Sequence, residues 1–398
     1  MHDSDIVIIN GARTPIGRFG GSLKDLTVID LAVTAMTAAM ENSKINPDQI
    51  DEVIMGHSRQ AGCGPNAPRI ASVKAGIPDT VPAYGIQMAC IAGMKSIMLA
   101  ADSIRLGRSD IVLAGGMEHH SSVPYLAVNQ RWGSKVGDVN LIDAMFSDGY
   151  KCGIEGKLMG DLTDDLALKY EIDRTDQELF SLDSQMKYQQ AKQSGFYKNV
   201  IAPIEIKKPR GNTIIIDEDE CPRDDTSLEG LAKLRPSFNK TGTITAGTSP
   251  PISDAACCVI VTSYKKAKEL NLSPLGTIKS YEMSAVEAKS FGLGPIEAFK
   301  NAVTSADLAL EDIKLIEINE AFAAQVIALS KELDINTDRL NVNGGSVAMG
   351  HPTGMSGARL PLELLYALND HEKQFGIAGI CGNGGHGAAM VLERFSSN

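Results

Sequence analysis

The stretch INPDQIDEVIMGH (45–57) returns without a gap as LALEDIKLIEINE (308–320). In both copies an acidic turn leads into an apolar run, the pattern of a loop entering a buried strand. Each copy also follows a helical pattern, DLAVTAMTAAMENS (30–43) in the first case and the run beginning EAFKNAV (297–303) in the second. The match continues downstream: the segment around Cys90, an apolar helix and then DIVLAGG (110–116), has its counterpart after His351 in another helix and FGIAGICG (375–382). We read an internal duplication that makes two similar α/β halves. Strand and helix alternate in both, which predicts mostly parallel sheets covered by helices, with sites at the carboxyl ends of strands and at helix N-termini.

Residues 121–240 differ in character, with the single Trp132, polar helices and the turn-rich PRGNTIIIDEDECPRDDTS (209–227). They read as an insertion. The expected organisation is a first half over 1–120, completed by about 241–270, an inserted loop domain over 121–240, and a second half over 271–398.

Composition excludes several classes. The 398 residues are 43% apolar and 22% charged, with 38 glycines, which is a globular composition suited to tight turns. Thirty-eight basic against 49 acidic side chains give a net charge of −11, and no dense Lys/Arg block marks a nucleic-acid or membrane surface. The opening MHDSDIVIING enters a strand at once without the charged and apolar regions of a secretory signal, so the reading is cytoplasmic. Even the apolar IAGMKSIMLAA (91–101) carries Lys95, which argues against a membrane span. Seven cysteines without metal-ligand spacing suit a reducing compartment, and the adjacent Cys257 and Cys258 read as packing residues of a buried strand.

The chemistry-bearing residues gather at strand and helix ends. In YGIQMACIAGMKSIMLAADSIRLG (84–107), Ile91, Met94, Ile97, Met98, Ala101 and Ile104 recur at helical spacing and Gly107 supplies a stop. Cys90 would open that helix, where unpaired N–H groups and the macrodipole favour thiolate over thiol. A free thiol is only roughly 3% ionised at pH 7, so the shift matters to a nucleophile. A cysteine taken alone is more often a core residue. The glycine-rich NGGSVAMGHPTGMSGARL (343–360), however, delivers His351 to the matching helix start of the second half. In LIEINEAFAAQVIAL (315–329), Asn319 ends a strand before an apolar helix, either to bind an oxygen or a water or as a plain helix cap. Finally FGIAGI (375–380) runs into CGNGGHG (381–387), a strand entering a loop whose backbone approaches something closely, with Cys381 where the approach begins.

Four segments, ARTPIGRFGGSL (12–23), NEAF (319–322), GHPTGMSGAR (350–359) and CGNGGHG, resemble the signatures of the thiolase family, in that family's order and over essentially the whole chain. The resemblance implies a thiolase fold, α/β with two duplicated βαβαβαββ halves in a layered α/β/α/β/α arrangement and an inserted loop domain. It also implies a homodimer or homotetramer acting in lipid metabolism. The implied activity is acyl-CoA C-acyltransfer through an acyl-cysteine: condensation of acetyl-CoA with an acyl-CoA, or CoA-dependent thiolysis of a 3-ketoacyl-CoA, with acetyl-CoA acetyltransferase as the first reading. Residue by residue, Cys90 matches the nucleophile and His351 the base that takes its proton and then stabilises a thioester oxygen. Cys381 matches the cysteine whose thiolate removes the α-proton of the incoming acetyl-CoA. Asn319 would hold the enolate oxygen through a water, and the backbone N–H of Asn383, with that of Cys90, would form the oxyanion hole. Arg223, in CPRDDTSLEGLAKLRPSF (221–238), together with Met159, Ala246 and Phe322, matches the CoA-binding positions, and Leu158 and Phe291 the substrate pocket. No metal or other cofactor is implied, since CoA thioesters are substrates; the partners are acyl-CoA and CoA.

Four departures from the family pattern bear on substrate. In TSPPISDAA (248–256), Pro250 and Pro251 replace a Ser-Gly pair whose hydroxyl normally contacts pantetheine. Asn383 replaces the first glycine of a triplet, where asparagine's tolerance of left-handed backbone would preserve the hole. Leu158 stands where acetoacetyl-CoA enzymes often carry histidine, which removes a hydrogen bond to the keto oxygen. Pro361 falls inside the helix after His351, where a kink is expected. The alternative reading is a non-catalytic thiolase-like acyl-CoA binding protein. A fatty-acid-type ketosynthase is disfavoured because that group carries two histidines where this chain offers Asn319 and Cys381 beside His351.

Overall fold

The computed structural model describes residues 2–207 and 211–396; Pro209 and Arg210 of the turn-rich stretch lie outside the described residues. The first half contains β1 (Ile6–Arg13), α1 (Val28–Ser43), β2 (Glu52–His57), β3 (Ala83–Ile86), α2 (Ala92–Arg105), β4 (Ile111–His119) and, after a long excursion, β5 (Ser253–Ser263). The second contains β6 (Gly276–Ala285), α3 (Pro295–Ser305), β7 (Leu315–Ile318), α4 (Ala323–Leu333), α5 (Thr353–Asp370), β8 (Phe375–Gly382) and β9 (His386–Arg394).

The strands run β3-β2-β4-β5-β1 in the first half and β6-β9-β8-β7 in the second, and β1 pairs with β6 to join them. Counted within each half, both follow one order. The third strand of the second half is reduced to a single parallel bridge, Ile316 to Leu340. The two copies of the duplicated stretch end in β2 and β7, so the gapless alignment superposes strand on strand. The sheet is mixed rather than mostly parallel. Only β2 with β3 and β4, and β7 with β8, run parallel, while β5, β9 and the two joining strands are antiparallel. Hydrophobic runs register burial on both faces, which β5 also has at ten of its eleven positions, and burial carries no strand direction.

Helices α1 and α3 cover the outer faces of the two halves, and α2 and α5 lie between the halves against each other. The middle layer is deeply buried: α2 buries Met94, Ile97, Met98, Ala101 and Ile104, and α5 is buried from Thr353 to Leu365. Their N-terminal turns cross closely because glycines leave room. A Cβ on Gly93 would stand 2.7 Å from the Ala358 nitrogen, and one on Gly357 would stand 2.5 Å from the Met94 nitrogen. Pro361 sits inside α5 without ending it, since the helix is continuous to Asp370. Packing on all sides holds a helix that proline would otherwise weaken. Among the described residues no helix is long and apolar enough to cross a membrane.

Candidate active site

Cys90 lies on a short 3-10 turn, Ala89–Ile91, that feeds α2. The turn is sharp: Ala89 has φ 48°, a left-handed value costly for a residue with a Cβ, and Ser58 Oγ donates to its carbonyl at 2.9 Å. His351 stands two residues before α5, so the crossing of α2 and α5 brings the thiol and the imidazole to one cavity. Cys381, the penultimate residue of β8, lines the same cavity, as do Asn383, Leu158, Met159, Phe291 and Phe322.

The imidazole has a defined tautomer. Ser356 Oγ donates to the Pro352 carbonyl at 3.1 Å and lies 2.7 Å from His351 Nδ1, so Nδ1 carries the hydrogen and donates to it. Nε2 is left with its lone pair, 3.4 Å from Asn319 Nδ2. Burial, then the neighbouring His120, Arg359 and Arg59, push the pKa of His351 down to about 3, so the ring is a neutral base. Asn319 is wholly buried and accepts from Ser346 Oγ at 2.9 Å; the cap of α4 is Phe322, so the plain-cap reading of Asn319 does not hold.

Behind Asn319 runs a chain of buried groups. Ser346 Oγ accepts from Arg359 Nη2 at 3.3 Å, Arg359 pairs with Glu363, and Glu363 accepts from Arg13 Nε at 2.7 Å. Arg13 also grips Asp219 with both terminal nitrogens, at 2.6 and 2.8 Å. The arginine of the ARTPIG segment is thus fully buried and fully paired, the condition under which a buried charge is tolerable.

The thiols differ from the expectation of a resting thiolate. Burial pushes Cys90 up to about 11, although Arg59 and the backbone N–H groups of Cys90 and Asn383 act in the opposite direction. Burial and the neighbouring Cys90 likewise hold Cys381 well above the usual thiol range. Both are thiols at neutral pH, because removing a charge's water outweighs what a helix start returns.

Asn383 is not in a left-handed conformation; Gly384 and Gly385 are, at φ 88° and 91°. Its side chain donates instead to the carbonyls of Gly149 at 2.7 Å and Lys151 at 3.2 Å, which ties the segment around Tyr150 to the β8–β9 turn. Pro250 and Pro251 line the cavity, and the Pro251 carbonyl accepts the His351 N–H at 3.1 Å. Arg223 and Ala246 do not reach this cavity; they line an adjoining depression that shares Pro251 with it.

A polar corner went unread in the sequence. Arg59, Tyr150 and Thr353 also line the cavity, backed by Glu118 and His120 at the end of β4. His120 Nδ1 donates to the Ser253 carbonyl at 2.7 Å, which leaves Nε2 to accept from the Tyr150 hydroxyl at 3.3 Å. Burial would raise Glu118, but His120, His57 and Arg59 outweigh it and hold the carboxyl near 2. The signal was GGMEHHSS (115–122), polar residues at a strand's carboxyl end, where such folds build sites. Among the described residues no group of three or more His, Cys, Asp or Glu side chains is placed to hold a metal.

The thiolase N-terminal-domain family matches residues 6–265 and the thiolase C-terminal-domain family residues 272–394. The chain belongs to the thiolase family. This thiolase is 41% identical over 392 residues to a probable acetyl-CoA acyltransferase of Staphylococcus epidermidis, covering 98% of this chain and 99% of that one. It is 41% identical over 390 residues to a protein of the same description from Staphylococcus aureus, with the same coverage. Among solved structures, it matches the Bacillus anthracis acetyl-CoA acetyltransferase at TM-score 0.96 and 40% identity. Human mitochondrial 3-ketoacyl-CoA thiolase matches at TM-score 0.95 and 35% identity; both comparisons cover 98% of this chain and 99% of the other.

Proposed function

We propose that this thiolase is an acetyl-CoA acyltransferase that makes or cleaves a carbon–carbon bond through an acyl-Cys90 intermediate. The observation that carries it is one cavity lined by Cys90, His351 and Cys381, with the lone pair of His351 on Nε2. With Cys90 a thiol at rest, its Sγ attacks the thioester carbon as the proton passes to His351 Nε2, and the carbonyl oxygen gains negative charge where the N–H groups of Cys90 and Asn383 lie. Collapse expels the CoA sulfur, which takes the proton from His351. For condensation, Cys381 passes its proton to His351 Nε2 and the resulting thiolate removes one from the α-carbon of acetyl-CoA, while the Nε2–H of His351 donates to the enolate oxygen. The carbanion attacks the acyl-Cys90 carbonyl, and the Cys90 sulfur leaves as it takes the proton from His351 Nε2, while Cys381 keeps the proton it drew from acetyl-CoA.

Residues 121–240 form the loop domain in this reading, with Arg223 under the CoA nucleotide and Met159, Ala246 and Phe322 along the pantetheine. The protein works in the cytoplasm as a homodimer or homotetramer, in lipid metabolism. The test is turnover of 3-ketoacyl-CoA esters of several lengths with CoA. Cys90→Ala is expected to abolish acyl-enzyme, seen as loss of the mass increment on the protein. Cys381→Ala is expected to keep acylation and lose condensation by about 1,000-fold or more. Binding of CoA esters without acylation at Cys90 would instead favour the non-catalytic reading.

A further inference from the structure

Arg59 is 5% exposed and lines the cavity that holds Cys90 and His351. Its Nη1 reaches Thr353 Oγ1 at 3.3 Å, while its buried Nε has no partner. Among the described residues its guanidinium makes no ion pair. Glu118 shares the corner but commits its oxygens elsewhere, to the main-chain N–H of Arg59 at 3.0 Å, Thr353 Oγ1 at 2.6 Å and the Gly354 N–H at 2.9 Å. Glu118 balances it electrostatically without touching the guanidinium, and a buried charge with no direct ion-pair contact keeps unused hydrogen-bonding capacity.

The guanidinium is also held in place. It stacks over the Tyr150 ring at 5.0 Å, and the Asn383 side chain clamps the carbonyls on either side of Tyr150. Gly149 leaves the space it occupies, since a Cβ there would stand 1.8 Å from Arg59 Cζ. Phe146, Leu158, Met159 and Phe291 give the wall its apolar portion. Arg59 also lines a second depression beyond the cavity, with Gln60, Gln87 and Asp148. It therefore stands at a boundary of the cavity distinct from Pro251, where the depression of Arg223 and Ala246 meets it.

We propose that Arg59 anchors a carboxylate at the far end of the acyl group, so that this thiolase takes short acyl thioesters of dicarboxylic acids in preference to unsubstituted ones. The inference rests on the acyl-Cys90 reading and adds the substrate class. The bonds are those of acyl transfer: Sγ of Cys90 bonds the acyl carbon, the carbon–sulfur bond to CoA breaks, and the thiol proton leaves on the CoA sulfur. The terminal carboxylate forms paired hydrogen bonds to the guanidinium and undergoes no reaction.

The test measures Cys90 acylation by CoA release and by protein mass, with donors matched in length: glutaryl-CoA against pentanoyl-CoA, adipyl-CoA against hexanoyl-CoA, and acetyl-CoA alongside. The expected ratio of kcat/KM favours the carboxylated donor of at least one pair by about 30-fold, the worth of a buried charge-assisted contact. Arg59→Met should collapse that ratio toward one, and Arg59→Lys should keep part of it. A wild-type ratio at or below one in both pairs overturns the inference, whether or not the variants fold. So does an Arg59→Met variant that slows both members of a pair equally, which would make Arg59 a support for the Cys90 sulfur. If acetyl-CoA acylates Cys90 while no carboxylate preference exists, only the role of Arg59 falls. If no thioester acylates Cys90, the acyltransfer reading falls and carries this one with it.

Discussion

A thiol and an imidazole that both rest uncharged suit the roles proposed for Cys90 and His351, nucleophile and base, which would change charge only when substrate arrives. With Cys90 near 11 and His351 near 3, neither titrates between pH 6 and 9. Alkylation of Cys90 in the ligand-free protein by iodoacetamide should therefore rise about tenfold per pH unit from 7 to 10. A plateau by pH 8 would restore the resting thiolate that the helix start alone suggested. The meeting of Cys90, His351 and Cys381 at one cavity was foreshadowed because Cys90 and His351 precede apolar helices, while Cys381, like Asn319, stands at the end of an apolar strand. Arg59 and Tyr150 were not. Their neighbours across the corner, Thr353 and Asn383, come from distant parts of the chain, and no local pattern encodes such a meeting.

Elements meet here through missing side chains. Gly354 of α5 would place a Cβ 2.6 Å from the Met117 carbonyl and 2.9 Å from the Ser58 nitrogen, both main chain and unable to give way cheaply. Gly354→Ala should lower stability by about 1–3 kcal/mol, seen as a lower denaturant midpoint at unchanged slope. It should also lower acylation, because the displaced turn carries His351. Helix and strand positions followed from periodicity, down to the alignment of β2 with β7. Strand direction and the fate of Pro361 did not follow, since one depends on which edges pair and the other on neighbours that enclose the helix.

For the molecule as a whole, buried titratable groups set how stability depends on pH. Glu317 on β7 is 3% exposed, and burial raises its pKa to about 8 despite Arg359. Its folded pKa lies above the ordinary value of 4.5, so its stability contribution is complete below pH 4.5 and is lost as pH rises through 8. Glu317→Gln, which keeps the shape of the protonated acid, should match wild type below pH 4.5 and exceed it by about 3 kcal/mol at pH 7 in denaturant titrations. No advantage at pH 7 would refute the raised pKa. The division into two halves was readable because a repeat survives in the residues themselves. Their union into one continuous sheet was not, because the pairing of β1 with β6 occupies only Val7 and Ile8 against Thr277 and Gly276.

The succession Arg13, Glu363, Arg359, Ser346, Asn319 and His351 draws on the beginning and the last quarter of the polypeptide. Glu363 anchors both Arg13 and Arg359, so one carboxylate holds the first strand and the helix after His351 together. Losing that one carboxylate would leave two buried arginines short of an anion at once and loosen the end of the succession that aims the imidazole.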